Sequence, residues 1–584
     1  MKRTGRQNVY RQFRWRALLI IAMFGLAAVA IVGRALQLQV LDKEFLERQA
    51  DARHLRVITL SAHRGSILDR NGETLAASTP VDSVWADPGA LARATDRISE
   101  LAKILQRSPE NLLRQITSNL EREFIFLRRH MSPDKAAAVM DLGIPGVYLQ
   151  REYRRYYPTG EVTGHLLGFT DIDDRGQEGL ELAYDQWLVG EPGAKRVIKD
   201  RLGRVIGDVE SIRPARPGKD LVSSIDLRIQ YLAYRELKAA VQHHRARSGS
   251  VVVMDITTGE VLAMANQPGY NPNDRSQFSV SRYRNRAVTD IFEPGSSFKP
   301  LVIAAALESG QYTPFSRIDT SPGYLRVPGK TIEDPRNLGV IPIGTILAKS
   351  SNVGASKVAL SLDPEYLFGI IRRFGIGQLT GSGFPGESAG LLSDYSHWHE
   401  IGQATLAYGY GLSLTPLQLA QAYAVLAADG IRRPLSLLRT DQPEAGERVI
   451  TPETAIAVVN MLERVVSTDG TGRNAAVPGY RVAGKTGTSW KFQAGGYSTD
   501  RYIAVFAGLA PATDPRLVIV VLIDEPGGDK YYGGDVAAPV FSAVMSGALR
   551  YLAVPPDALT PYQPESGTIV QARVHRASAV ARDR

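Results

Sequence analysis

The chain has 584 residues, 44% hydrophobic and 22% charged, a length and balance that suit roughly two to four folded domains and exclude a disordered or low-complexity protein. Its formal net charge is +9, but Lys2, Arg3, Arg6, Arg11, Arg14 and Arg16 form a leader without one acid. The remainder is therefore only weakly basic, and no nucleic-acid-binding pattern follows it. The lack of cysteine excludes disulfide staples, thiolate catalysis and Cys-based metal sites.

From Ala17 to Gly33 the chain is uncharged, and more apolar residues follow Arg34. As a helix this run rises about 25 Å, and Arg16 and Arg34 can reach outward from its ends, so it can cross a bilayer once. A basic leader is retained on the cytoplasmic side. The reading is a cytoplasmic leader over 1–16, a transmembrane anchor over 17–40 and an exported remainder. A cleaved signal peptide is the alternative, with Ala28-Val29-Ala30 as its cleavage site, but the apolar run exceeds the usual core of such a peptide.

Beyond the anchor, residues 62–76 read as two short strands around an Asn71-Gly72 turn. Residues 90–140 carry helical spacing, as in Leu101, Ile104 and Leu105, and 153–203, rich in Gly, Arg and Asp, read as a loop-rich β module. A Pro/Arg/Gly linker at 213–220 marks a boundary. A second domain then opens with a helix beginning near Asp226 and a hairpin of 250–255 with 260–265 around Thr258-Gly259. Helical patterns at 301–309 and 416–426 fill its middle, and strand-like runs at 479–488, 502–509 and 516–524 end it. Strands at both ends with helices between predict one α+β domain whose sheet joins its N- and C-terminal parts. Pro555-Pro556 closes it, and 555–584 reads as a flexible tail.

Ser296 and Lys299 start an apolar helix and, three apart, project from one face, so they can act as nucleophile and base. The spacing alone is weak. Ser132 and Lys135 repeat it, and there Ser132 reads as an ordinary helix cap followed by Pro133 and Asp134. Two further motifs separate the cases: Ser350-Ser351-Asn352 follows a helix-like run, and Lys485-Thr486-Gly487-Thr488 lies on a strand. Taken singly, the first reads as a turn and the second as an exposed strand edge. The ordered triple is the signature of penicillin-binding proteins and serine β-lactamases.

At this point the sequence resembles the class B penicillin-binding proteins, and within them the division-specific, FtsI-type D,D-transpeptidases. The blocks at 63–76 and 151–203 resemble the family's non-catalytic pedestal, and 292–300, 349–354 and 484–488 its catalytic motifs. The stretch 407–420 is similar to the division branch rather than the elongation branch. The resemblance implies an α+β chain with a single transmembrane helix, a β-rich elongated pedestal domain over 41–218 and a transpeptidase domain over 219–554, an antiparallel sheet flanked by helices. It implies Ser296, Lys299, Ser350, Asn352 and Lys485 as catalytic residues and Thr486, Gly487 and Thr488 as substrate-binding residues, with the backbone N–H groups of Ser296 and Thr488 as oxyanion hole. No cofactor or metal is expected. The implied partners are peptidoglycan stem peptides, as D-Ala-D-Ala donor and amine acceptor, β-lactams, the inner membrane, and a septal glycosyltransferase with other division proteins. Where relatives often carry Arg, two residues beyond the Lys-Thr-Gly-Thr block, this chain has Trp490.

Alternatives of the same fold are an elongation-type transpeptidase, a D,D-carboxypeptidase that uses water as acceptor, and a β-lactamase or β-lactam sensor, which does not need so long a pedestal. A septal scaffold with dispensable catalysis is a reading of another class.

Overall fold

The computed structural model describes residues 6–43, 55–199, 205–274, 276, 279–493 and 496–558. The first five residues of the leader and the tail beyond 558 lie outside the described residues. Those that are described divide into two compact units, one from residues 1–223 with 270–278, the other from 224–269 with 279–584.

In the first unit, α1 (Arg6–Leu36) carries the apolar run, and Arg14–Leu41 is long and apolar enough to cross a membrane. Strands β1 (Leu55–Leu60), β2 (Ile67–Leu68) and β3 (Thr74–Ala86) follow. Between β2 and β3 the Asp69 N–H donates to the Glu73 carbonyl, closing a short loop in which Gly72 takes φ 92°, the left-handed conformation that favours glycine. Helices α2 (Ile98–Leu105) and α3 (Pro109–Thr117) precede β4 (Ile125–Met131), and α4 (Pro133–Asp141) precedes β5 (Val147–Tyr156). Both β4 and β5 pair antiparallel with β3, and Leu101, Leu105, Leu112, Ile116, Leu127 and Val139 form the core between helices and sheet.

The loop-rich β module expected after 153 is only partly strand. Short helices at Gly164–Leu167, Gly179–Ala183 and Asp185–Leu188 come before β6 (Gly193–Lys199) and β7 (Val205–Arg213), which pair with each other, and β8 (Leu221–Val222), which pairs with β2. The charges of this stretch have a structural use. Buried Glu181 accepts from Arg64 Nε at 2.8 Å and Arg155 Nε at 2.6 Å, tying three distant segments together.

In the second unit, α5 (Leu227–His243) is capped by the Asp226 carboxylate, which accepts from the Arg228 N–H. It buries Ile229, Leu232, Ala233 and Leu237. Strands β9 (Ser248–Asp255) and β10 (Val261–Gln267) form the expected hairpin, with Gly259 at φ 79° in its turn. Next come α6 (Lys299–Glu308), the small hairpin β11 (Tyr324–Val327) and β12 (Lys330–Glu333), α7 (Ile343–Lys349), α8 (Asn352–Leu360), α9 (Pro416–Ala427) and α10 (Pro452–Val466). Strands β13 (Ala483–Gln493), β14 (Gly496–Ala510) and β15 (Leu517–Asp524) and helix α11 (Ala538–Tyr551) end the unit.

The sheet is antiparallel in the order β10-β9-β15-β14-β13, so the chain's return through β15 onto β9 joins the two ends of the unit. Every residue of β9 is buried and all but the last of β15, which requires cover on both faces. Helices α5, α9 and α11 supply it. Strand β13 is left at one border of the sheet, paired with β14 on one side.

Candidate active site

Ser296 sits in a tight turn, Gly295–Phe298, that runs directly into α6. Gly295 takes φ 55°, and its N–H donates to the Gly409 carbonyl at 3.1 Å. The neighbouring Ser297 is buried, its hydroxyl donating to the Pro294 carbonyl at 2.7 Å, while its own carbonyl accepts from the buried Tyr423 hydroxyl at 2.8 Å. Of the two serines, only Ser296 retains exposed surface. Lys299, the first residue of α6, is fully buried, and its Nζ lies 3.0 Å from Ser296 Oγ.

Ser350 and Asn352 reach the same lysine from a helix break. Helix α7 ends at Lys349, Ser350 takes the left-handed conformation at φ 61°, and α8 starts at Asn352. Ser351 between them turns away, its hydroxyl accepting from the Gly354 N–H as helix cap. Lys299 Nζ donates to the Ser350 carbonyl at 2.6 Å and to Asn352 Oδ1 at 2.8 Å, and lies 3.2 Å from Ser350 Oγ. Those two oxygens can only accept. A neutral amine has two protons to satisfy them, which leaves its lone pair free for a hydroxyl proton from Ser296.

Lys485, on β13, is likewise fully buried and donates to Ser350 Oγ at 3.1 Å, so that hydroxyl bridges two lysines. Burial, with the adjacent Lys485 charge as a second cause, holds Lys299 well below the usual lysine range, against an opposing pull from Asp334. Burial lowers Lys485 to about 7. Burial thus shifts the balance of Lys299 toward its neutral, proton-accepting form.

Thr486, Gly487 and Thr488 continue along the same strand. Thr486 Oγ1 lies 3.1 Å from Thr471 Oγ1, and Thr488 Oγ1 accepts from the Gly533 N–H at 3.0 Å. A Cβ at Gly487 falls 2.6 Å from the Pro294 carbonyl and 3.3 Å from Ser297 Cβ, so this glycine lets β13 lie directly against the turn that bears Ser296. Just beyond, Ser489 Oγ donates to the Glu293 carbonyl, Trp490 is 50% exposed, and Lys491 pairs with Asp524 and Glu525, both at 2.7 Å.

The competing pair stands elsewhere, in the first unit. Ser132 occupies the cap position of α4 as expected, but its hydroxyl makes no capping bond, and both Ser132 and Lys135 are exposed. Two participants escaped the sequence reading. Asp334 binds the Ser350–Asn352 break, and Gly409 supports the Ser296 turn; neither belongs to a motif whose chemistry announces it.

A serine hydroxyl against a buried lysine of lowered pKa, with a second lysine and a Ser-x-Asn turn beside the border strand of an antiparallel sheet, is a geometry suited to serine acyl transfer. Residues 249–546 match the penicillin binding protein transpeptidase domain and residues 59–223 the penicillin-binding protein dimerisation domain, and the chain belongs to this family. It is 45% identical over 561 residues to the peptidoglycan D,D-transpeptidase FtsI of Escherichia coli K12, covering 95% of each chain. It is 42% identical over 545 residues to the probable peptidoglycan D,D-transpeptidase PbpC of Pseudomonas aeruginosa, covering 93% of this chain and 96% of that one. Among solved structures, penicillin-binding protein 3 of Mycobacterium tuberculosis in complex with aztreonam aligns with a TM-score of 0.67 at 30% identity, over 85% of this chain and 98% of that one. The transpeptidase domain of Burkholderia pseudomallei penicillin-binding protein 3 aligns at 0.54 and 44% identity, over 57% and 97%.

Proposed function

We propose that the protein is a serine-type peptidoglycan D,D-transpeptidase that cross-links stem peptides of the septal wall, and that β-lactams acylate the same serine. The observation that carries this reading is the 3.0 Å approach of Lys299 Nζ to Ser296 Oγ inside the Lys299–Ser350–Lys485 cluster.

Ser296 Oγ passes its proton to neutral Lys299 and attacks the carbonyl between the donor's two terminal D-alanines. The oxyanion is held by the backbone N–H groups of Ser296 and Thr488. As the bond breaks, Lys299 returns the proton through Ser350 Oγ to the departing D-alanine amine, leaving the stem peptide as an ester on Ser296. An acceptor amine attacks the ester, its proton follows the reverse path, and Ser296 is regenerated. Asn352 orients Lys299 and the donor amide, and Lys485 with Thr486 and Thr488 holds the donor's terminal carboxylate. Gly487 keeps the strand close to the nucleophile and open to pairing with the donor as an added strand.

Incubation with labelled penicillin followed by peptide mapping tests the assignment. The label belongs on Ser296, and the acylation rate falls as pH drops, because acid protonates Lys299 and removes the base. A rate that rose on acidification is incompatible with this mechanism.

The chain is membrane-anchored through its N-terminal helix. Its proposed topology is an inner-membrane protein with residues 1–16 in the cytoplasm, the span at 17–40 and the catalytic domain, 219–554, in the periplasm, supported by the unopposed basic leader. A septal glycosyltransferase and other division proteins are proposed as partners of the chain, whose non-catalytic pedestal, 41–218, overlaps the match to the penicillin-binding protein dimerisation domain at 59–223. Reporters fused after residue 60 are expected to be active on the periplasmic side. Activity confined to the cytoplasm reverses the topology.

A further inference from the structure

We propose that Asp334 is a positioning residue of the acyl-transfer site, using one carboxylate to fix the helix break that aims Ser350 and Asn352 at Lys299. The inference rests on the function proposed above.

Asp334 follows β12, and its N–H donates to the Gly323 carbonyl at 3.0 Å, so its backbone is held independently of the site. Its Oδ1 accepts from the Asn352 N–H at 2.6 Å and the Val353 N–H at 3.2 Å, and its Oδ2 accepts from the Ser351 hydroxyl. The two N–H groups belong to the first turn of α8, where no intrahelical acceptor exists and where the helix dipole favours a negative charge. The preceding residue completes the hold, with the Glu333 carbonyl accepting from Asn352 Nδ2 at 3.4 Å. Asn352 is thereby gripped by both backbone and side chain, and its Oδ1 is the atom left to meet Lys299. Ser350, one residue before this grip, occupies the left-handed conformation that side-chain-bearing residues rarely adopt, and needs such a constraint to persist.

Beside this mechanical hold, the Asp334 charge favours the protonated form of Lys299, opposing burial and Lys485 of β13. Removing its charge while keeping its bonds therefore makes Lys299 easier to deprotonate.

The full-length protein and its Asp334→Asn and Asp334→Ala variants are compared by the rate of labelled-penicillin acylation from acid to alkaline pH. Asp334→Ala frees the break and lowers the rate near neutrality by about 10²-fold, the scale of a catalytic group misplaced by about 1 Å. Asp334→Asn can still accept from both N–H groups and donate to Ser351 Oγ. It recovers most of the rate, and the acidic limb of its profile moves to lower pH. An alanine variant that acylates like wild type, or an asparagine variant that loses as much as the alanine one, overturns the inference. If the alanine variant does not fold, the asparagine variant decides alone: a plateau rate lowered by about 10²-fold although both N–H groups keep an acceptor overturns it. Wild-type protein that takes no label on Ser296 would instead remove the proposed function itself, so the two failures are distinct.

Discussion

Ser296→Ala is expected to abolish the covalent penicillin adduct, and Lys299→Ala to slow its formation by about 10²–10⁴-fold, the usual contribution of a positioned general base. The two effects differ in kind because one removes the bond-forming atom and the other only its activation. The acyl-enzyme needs an exposed oxygen with a basic neighbour. Ser296 Oγ has one at 3.0 Å, whereas buried Ser297 spends its hydroxyl on the Pro294 carbonyl. Ser350 Oγ lies close to Lys299 as well, but it also receives the Lys485 proton and stands where a relay is needed, between two amines. Ser132→Ala should change neither adduct nor stability beyond about 0.5 kcal/mol, since its hydroxyl is exposed and caps nothing. Intact-mass measurement of each variant after exposure to labelled penicillin reads all of these. An undiminished adduct in Ser296→Ala, or label mapped to Ser132 or Ser350, would overturn the site assignment.

Much of the second unit was legible because its signals are local. Asp226 before an apolar-periodic run gave the start of α5, Thr258-Gly259 gave the β9–β10 turn, and the apolar run within 516–524 gave a strand. Sheet order is a property of distant pairs, so strands at both ends could suggest a shared sheet but not that β15 lies beside β9. The stretch 160–188 was less legible: its helices are about one turn long, too short to show a 3.6-residue period, and its charges bind Arg64 and Arg155 to Glu181 rather than lining a loop.

The site shows the same division. Ser296, Lys299, Ser350, Asn352 and Lys485 stand in motifs whose residue types state a chemistry, and the fold brings them into one cluster. Asp334 acts through main-chain N–H groups that the sequence does not display, and Gly409 acts by lacking a side chain. The departure at Trp490 also gains a physical setting. Trp490 is half exposed and its main-chain N–H donates to the Tyr410 hydroxyl at 3.3 Å, while Lys491 is held by Asp524 and Glu525.

Gly409→Ala should be the most damaging single-methyl change near the site. At φ 82° an L-residue is strained by about 1–2 kcal/mol, and the new Cβ falls 2.2 Å from the Gly295 carbonyl oxygen and 2.6 Å from its nitrogen. Both neighbours are backbone, so relief requires moving the Gly295–Ser296 turn, at an overpacking cost of about 1–3 kcal/mol. That turn sets the contact between Ser296 Oγ and Lys299, and displacing it by about 1 Å should lower acylation by about 10²-fold. Gly411→Ala separates collision from strain. Gly411 also has positive φ, at 75°, but its Cβ meets only Thr405 Oγ1, at 4.0 Å. It should therefore lose stability without a comparable loss of acylation. Thermal midpoints and labelled-penicillin rates measured on both variants check this, and a Gly409→Ala protein that acylates like wild type would show that the turn is not set by this contact.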